Sequence, residues 1–184
     1  VGDISAAELG PLLDKTFGAL PAQVAISQVP DIKPMGAGVM KVVHKSIPQS
    51  RVMFGAPGLK RNDPDWYAAY VLNYVLGGGG FASRLNEEVR EKRGLAYSVY
   101  SYLYPMDHAA IHMGGVGTQN ERVGEALTVI KEQIALAGEN GVTEVELANA
   151  KTYLNGSFPL RLTSSGRIAG LLLAIQKENL GIDY

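Results

Sequence analysis

Cysteine is absent from the 184 residues, and with it go disulfides and every metal site built on thiolates. Charge of neither sign is in excess: 17 Lys and Arg stand against 18 Asp and Glu, a net charge of -1. No basic surplus is available to grip the phosphates of a nucleic acid, and no acidic surplus marks a disordered tail. Long apolar runs are missing as well; none approaches the ~20 residues that a membrane-spanning helix needs. These absences leave the compartment open, since cytosolic and periplasmic proteins can both do without cysteine. The remainder is 46% hydrophobic and 19% charged, the balance of an ordinary globular protein. The expectation is one domain over 1–184, long enough to bury a real core. Val1-Gly2-Asp3 reads as the tail of a strand, and Asn179 to Tyr184 follows a helix cap, as expected of a fragment of a longer protein.

Local patterns predict an α+β layer. Ser5-Ala-Ala-Glu8 is a capping box that starts a helix with Leu9, Leu12, Leu13 and Phe17 on one face, ending near Gly18. Pro21, Pro30 and Pro34 mark an extended linker. Val39 to Lys45 and Arg51 to Pro57 read as two antiparallel strands joined through Ile47-Pro48-Gln49. Asp63-Pro64 predicts a helix start, and that helix runs to about Leu76 with Trp66, Tyr67, Tyr70 and Tyr74 on it. Ser83 is expected to cap the next helix, which stops before Gly94. Tyr97 to Tyr104 and Ala109 to Thr118 predict two further strands. Val123, Leu127, Ile130, Ile134 and Ala137 keep one helical face until Gly141 breaks it. Thr143-Glu-Val-Glu146 is a second capping box, and a last helix from Ser165 carries Ile168, Leu171, Leu172 and Ile175. The sum is an antiparallel sheet of about four strands with helices packed on one face.

The run Gly77-Gly-Gly-Gly80-Phe81-Ala82 formally satisfies a dinucleotide-binding fingerprint. Such a fingerprint needs a strand before the glycines and a βαβ unit around them, and here a helix precedes. A helix-to-helix connection that uses glycine's positive φ is the plain alternative. The exposed backbone of Gly77, Gly78, Gly79 and Gly80 touching an extended peptide is another. His108-Ala-Ala-Ile-His112 invites a metal reading, but its surroundings are strand-like. Four residues along a strand span roughly 13 Å, too far for two imidazoles to share one ion.

Arg90 and Tyr97 stand seven residues apart, at a helix end and a strand start. A guanidinium beside a phenol can hold a peptide carbonyl or an oxyanion. The plain alternatives are an exposed ion pair of Arg90 with Glu87 or Glu91, and a sheet position for Tyr97 on the face of Val99, Ser101 and Leu103.

Several segments together resemble one family. They are Pro48-Gln-Ser-Arg51, Asn62-Asp-Pro-Asp65, Leu76-Gly-Gly-Gly-Gly80, Ser83-Arg-Leu85, Arg90-Glu-Lys-Arg-Gly-Leu-Ala-Tyr97-Ser-Val and Gly141-Val-Thr-Glu144. From Gly2-Asp3 to Asp183-Tyr184 the chain resembles the second, zinc-free "inactive" domain of pitrilysin/insulinase-type metallopeptidases. Mitochondrial processing peptidase and many bacterial zinc proteases belong to that group. The resemblance implies a LuxS/MPP-like half-domain facing a second half that carries zinc on an inverted His-x-x-Glu-His helix. It implies that Tyr97 donates a hydrogen bond to the scissile carbonyl and that Arg90 holds a substrate carbonyl or carboxylate. No His-x-x-Glu-His occurs in this sequence. The chain alone is therefore expected to cleave nothing and to hold no cofactor or metal, with Zn in the complementary half. The partners expected are a zinc-bearing domain or subunit and an extended peptide, with no nucleic acid and no membrane span. The family domain also continues past the equivalent of Tyr184, so truncation at the C-terminal side is expected, in a bacterial periplasm or cytoplasm. A non-catalytic assembly domain of the same fold, or a peptide-binding module without hydrolysis, are the competing expectations.

Overall fold

The computed structural model describes residues 1–25, 27–182 and 184. Asp183, at the end of the stretch that carries the family resemblance, lies outside the described residues. In chain order the regular elements are α1 (Ala6–Phe17), β1 (Gln49–Pro57), α2 (Trp66–Asn73), β2 (Ala96–Pro105), β3 (Ala110–Gln119), α3 (Val123–Asn140), α4 (Glu144–Ser157) and α5 (Ser165–Lys177). Two π-helical segments, Tyr74–Gly78 and Asn86–Glu91, follow α2 and precede β2. The chain divides into one compact unit of Val1–Pro30 with Gly156–Tyr184 and another of Asp31–Asn155.

The first unit holds α1 and α5. Both start on a serine, as expected from the sequence. Glu8 Oε2 accepts from the Ser5 backbone N–H at 2.9 Å while Ser5 Oγ accepts from Glu8 N–H at 3.3 Å, closing the capping box. Ser164 Oγ accepts from Arg167 N–H at 3.4 Å, and the Arg167 guanidinium returns to donate to Leu160 O at 3.1 Å.

The second unit is built on an antiparallel sheet in the order β1-β3-β2. Its register sorts the side chains into two faces. Val52, Val116 and Val99 form one cross-strand row, and Phe54, Gly114 and Ser101 the next. These rows face the helices, and the core gathers there from Leu76, Leu85, Val89, Leu95, Val99, Val116, Ala126 and Ile130. The opposite face carries Met53, Gly115 and Tyr100 in one row and Gly55, Met113 and Tyr102 in the next. Helices on one face of an antiparallel sheet make this an α+β fold, as expected.

The strand count is corrected from about four to three among the described residues. The segment 39–45 forms no ladder, and Val39, Met40, Val42 and Val43 are all exposed. The local bonds there are turns, with Val39 N–H donating to Gly36 O and Ile47 N–H donating to Lys45 O. Branched residues make a strand only when a partner pairs with them, and this segment leaves the outer edge of β1, the side away from β3, without a ladder.

Two helix starts also differ from expectation. Asp63 Oδ1 accepts from Asp65 N–H at 2.9 Å, so Asp63-Pro64 makes a turn and α2 begins at Trp66. Ser83 stands at a helix start with extended backbone, but its hydroxyl donates backwards to Gly80 O at 2.7 Å. On α3 the inward stripe passes through Ala126, Val129, Ile130 and Ala137, a fraction of a turn from the expected one.

Candidate functional site: an arginine and a bulged tyrosine

The glycine run sits between α2 and the helix that carries Arg90, and three of its four glycines have separate reasons. Gly77 is buried against β2, where a Cβ would come within 2.5 Å of Ser101 Oγ and 2.7 Å of Ser101 N. Gly79 closes the π-turn by donating to Tyr74 O at 2.8 Å, and a Cβ there would come within 2.7 Å of that oxygen. Gly80 has φ +58°, the left-handed region that glycine occupies without strain. Gly78 and Gly80 are exposed and Gly79 is half-buried, so these three, and not Gly77, present backbone to solvent.

Asn73 fixes the start of this turn from below. Its Oδ1 accepts from Ser101 Oγ at 2.8 Å and lies 3.0 Å from His112 Nε2. A carbonyl oxygen only accepts, so that assignment puts a proton on Nε2. Burial holds the His112 imidazole below its ordinary pKa. His108 lies in the preceding turn, with Nδ1 3.3 Å from Asp31 Oδ1. The two histidines thus belong to separate structural partnerships. Among the described residues no three His, Asp or Glu side chains converge as a metal site requires. No group of side chains among the described residues fits zinc.

Arg90 projects from the π-helical segment Asn86–Glu91. The segment is anchored on both sides: Val89 and Leu95 are buried in the core, and Gly94, at φ +57°, donates to Arg90 O at 2.8 Å. Its first turn is clamped by Arg84, whose guanidinium forks onto Glu146 with two 2.6 Å bonds and reaches Gly141 O at 3.0 Å. Glu146 simultaneously accepts from Thr143 N–H at 2.7 Å in the expected second capping box. The Arg84 guanidinium beside it, chiefly, holds the Glu146 carboxyl down at about 2.

Tyr97 owes its position to a β-bulge. Ala96 pairs with Thr118 and Ser98 pairs with Gly117, so Tyr97 is an extra residue with no partner on β3. Ala96, Val99 and Ser101 point to the core while Tyr97 and Ser98 are both exposed. The simple sheet reading, with Tyr97 on the face of Val99, Ser101 and Leu103, is corrected by this shift. The phenol is 81% exposed.

The arginine and the tyrosine meet. The Arg90 guanidinium carbon lies 5.9 Å from the centre of the Tyr97 ring and 4.7 Å from that of Phe81. Cation–π contacts of this kind hold an arginine in place for about 0.5–1 kcal/mol each at exposed sites. The ion pair expected as the plain alternative is loose: Arg90 Nε stands 3.6 Å from Glu91 Oε1, and Glu87 pairs with Lys92 instead. A fixed guanidinium and a free phenol can together donate hydrogen bonds to one peptide group. Phe81 escaped the sequence reading, because its stacking on Arg90 depends on a turn made by Gly80. Its position directly after the glycines was the one available signal.

Fold and site define an α+β domain that presents arginine and tyrosine side by side. The pattern of the family described as the peptidase M16 inactive domain matches residues 1–154, and the chain belongs to that family. An uncharacterized zinc protease of Streptomyces coelicolor is 38% identical over 132 residues, which are 72% of this chain and 28% of that protein. A Helicobacter pylori relative named as a non-peptidase homolog, YmxG, is 41% identical over 126 residues, covering 66% of this chain and 28% of its own. The chain therefore spans less than a third of the length of these curated relatives. A crystal structure described as the peptidase M16 inactive domain from Pseudomonas fluorescens superposes with TM-score 0.79 at 32% identity, covering 100% of this chain and 43% of that one.

Proposed function

We propose that this chain is the substrate-binding, zinc-free half of a zinc metalloendopeptidase, acting opposite a zinc site carried by another domain or subunit. The observation that carries this reading is the pairing of a bulge-presented, exposed phenol with an arginine held against it by ring contacts. Tyr97 donates its hydroxyl proton in a hydrogen bond to the scissile carbonyl, most strongly as that oxygen gains negative charge. Arg90 holds a neighbouring carbonyl or carboxylate and keeps the phenol side-on. Donors placed before the reaction lower its barrier because no reorganisation is needed at the moment charge develops. The rigid mounting of both groups, one above buried Val89 and one on a strand, supports that role. The exposed backbone of Gly78 and Gly80, next to Phe81, is a further surface that an extended peptide would meet. The zinc-bearing half supplies the metal and the attacking water.

The test is turnover of a peptide by the assembled enzyme, with Tyr97→Phe against the parent. Loss of roughly 10²-fold in kcat with assembly intact is expected, by comparison with other lost oxyanion donors. Unchanged turnover would end this role for Tyr97. A second reading, a structural half without chemistry, is favoured by the name of the Helicobacter relative. It predicts a stable assembly with no chelator-sensitive peptide cleavage.

A further inference from the structure

Beside Arg90 the surface folds inward. Tyr74, Tyr153, Phe81 and the backbone of Gly78, Gly79 and Gly80 line an open concavity of about 430 Å³. Tyr74 and Tyr153 stack at 5.4 Å between ring centres and form one wall. Phe81 forms the other and is 73% exposed, an unusual position for a phenylalanine in a folded protein. The glycines leave the floor without side chains. No charged side chain lines this hollow among the described residues. Phe81 also touches the Arg90 guanidinium, so the hollow and the Arg90–Tyr97 pair share this one side chain.

We propose that this concavity is a specificity pocket that takes one apolar side chain, aromatic or leucine-like, of the peptide held by Arg90 and Tyr97. The inference rests on the reading of that pair as peptide-holding groups. Ring walls and a bare backbone floor favour an apolar occupant, and the lack of any cation or carboxylate in the lining gives a charged side chain nothing to pair with. The Gly80 carbonyl is already taken by the Ser83 N–H and hydroxyl, so the peptide is held by its side chain in the hollow and by Arg90 and Tyr97. Phe81 then serves both parts of the site, one side toward the guanidinium and the other toward the pocket. Filling a hydrophobic pocket of this kind discriminates by roughly 10- to 100-fold.

The test uses the assembled enzyme and peptides that differ only by Phe or Asp at each of the two positions flanking the cleaved bond. At one position Phe is expected to be favoured by about 10- to 100-fold in kcat/KM. Phe81→Ser and Tyr153→Ser should each pull that ratio toward one, chiefly through KM. Both side chains are largely exposed, so neither change threatens folding. Calorimetric binding of the uncleaved peptides to the Tyr97→Phe protein gives the same ratio without turnover. If Tyr97→Phe keeps full activity, the role given to the pair fails, while the ratio still reports on the pocket. If Tyr97→Phe loses activity but the ratio survives both serine variants, the pocket alone is overturned. Variants that change only self-association, with the peptide ratio intact, would overturn it too and assign the hollow to a second copy of the chain.

Discussion

A hydrogen atom in place of a methyl group at Gly77 sets how closely α2 and its π-turn approach β2. A Cβ there would meet Ser101 Oγ, Ser101 N and Leu85 Cδ1 at 2.5, 2.7 and 2.9 Å, and two of these neighbours cannot move without disturbing the sheet or the core. Gly77→Ala should therefore destabilise by about 1–3 kcal/mol, seen as a lower urea midpoint at unchanged slope. A neutral result would mean that the turn can lift off the strand. The sequence made the four glycines conspicuous but did not separate their duties. Close packing at Gly77, a π-turn bond at Gly79 and positive φ at Gly80 depend on what lies across from each. Arg90 and Tyr97 were legible as a pair because a short turn at Gly94 returns the chain from helix to strand. Phe81 and the Tyr74–Tyr153 stack were not, since those contacts cross between elements far apart in sequence.

Elements with chemistry inside a four-residue window were the most legible. Both capping boxes form as read, because a serine or threonine and a glutamate three residues on satisfy each other's backbone without outside help. The segment 39–45 shows the converse: its branched residues suit a strand, yet a strand is made by its partner. Glu146 shows how an element can do two jobs, capping α4 and clamping the helix of Arg90 through Arg84. Its folded pKa of about 2 lies below the ordinary 4.5. The clamp's contribution is thus fully present above about pH 5 and fades as the pH falls toward 2, where the carboxylate takes up its proton in the folded state too. The full shift corresponds to about 3 kcal/mol at most, shared between the Arg84 fork and the Thr143 bonds and lowered by solvent screening of a partly exposed pair. The stability gap between the parent and Glu146→Gln, followed by urea unfolding, should shrink steadily between pH 5 and 2. A gap that stays constant would show that the Glu146 carboxyl is not depressed in the folded protein.

Across the whole molecule, the family was readable because many short segments fell at consistent spacing, although no single segment was specific. The match to residues 1–154 includes all three strands and both members of the Arg90–Tyr97 pair. The division into two compact units was not legible, because it pairs the first thirty residues with the last twenty-nine, Val1–Pro30 with Gly156–Tyr184. Such a pairing leaves no mark in any local pattern. No helix among the described residues is long and apolar enough to cross a membrane.

On the role proposed for Tyr97, its bulge separates the fold of the domain from its function. Without that one residue, Ala96 and Ser98 would be consecutive, opposite the consecutive Thr118 and Gly117, and β2 would alternate inward and outward without a break. The strand is complete without its tyrosine; the tyrosine is an insertion into it. Removing the single codon should give a protein that unfolds within about 1 kcal/mol of the parent, keeps its circular dichroism and has lost the phenol entirely. A collapse of stability would show instead that the bulge's extra twist shapes the sheet. If the deletion is silent in folding and Tyr97 has the role proposed for it, a working and a retired form of this architecture can differ by three nucleotides, and descent from one to the other need pass through no misfolded ancestor.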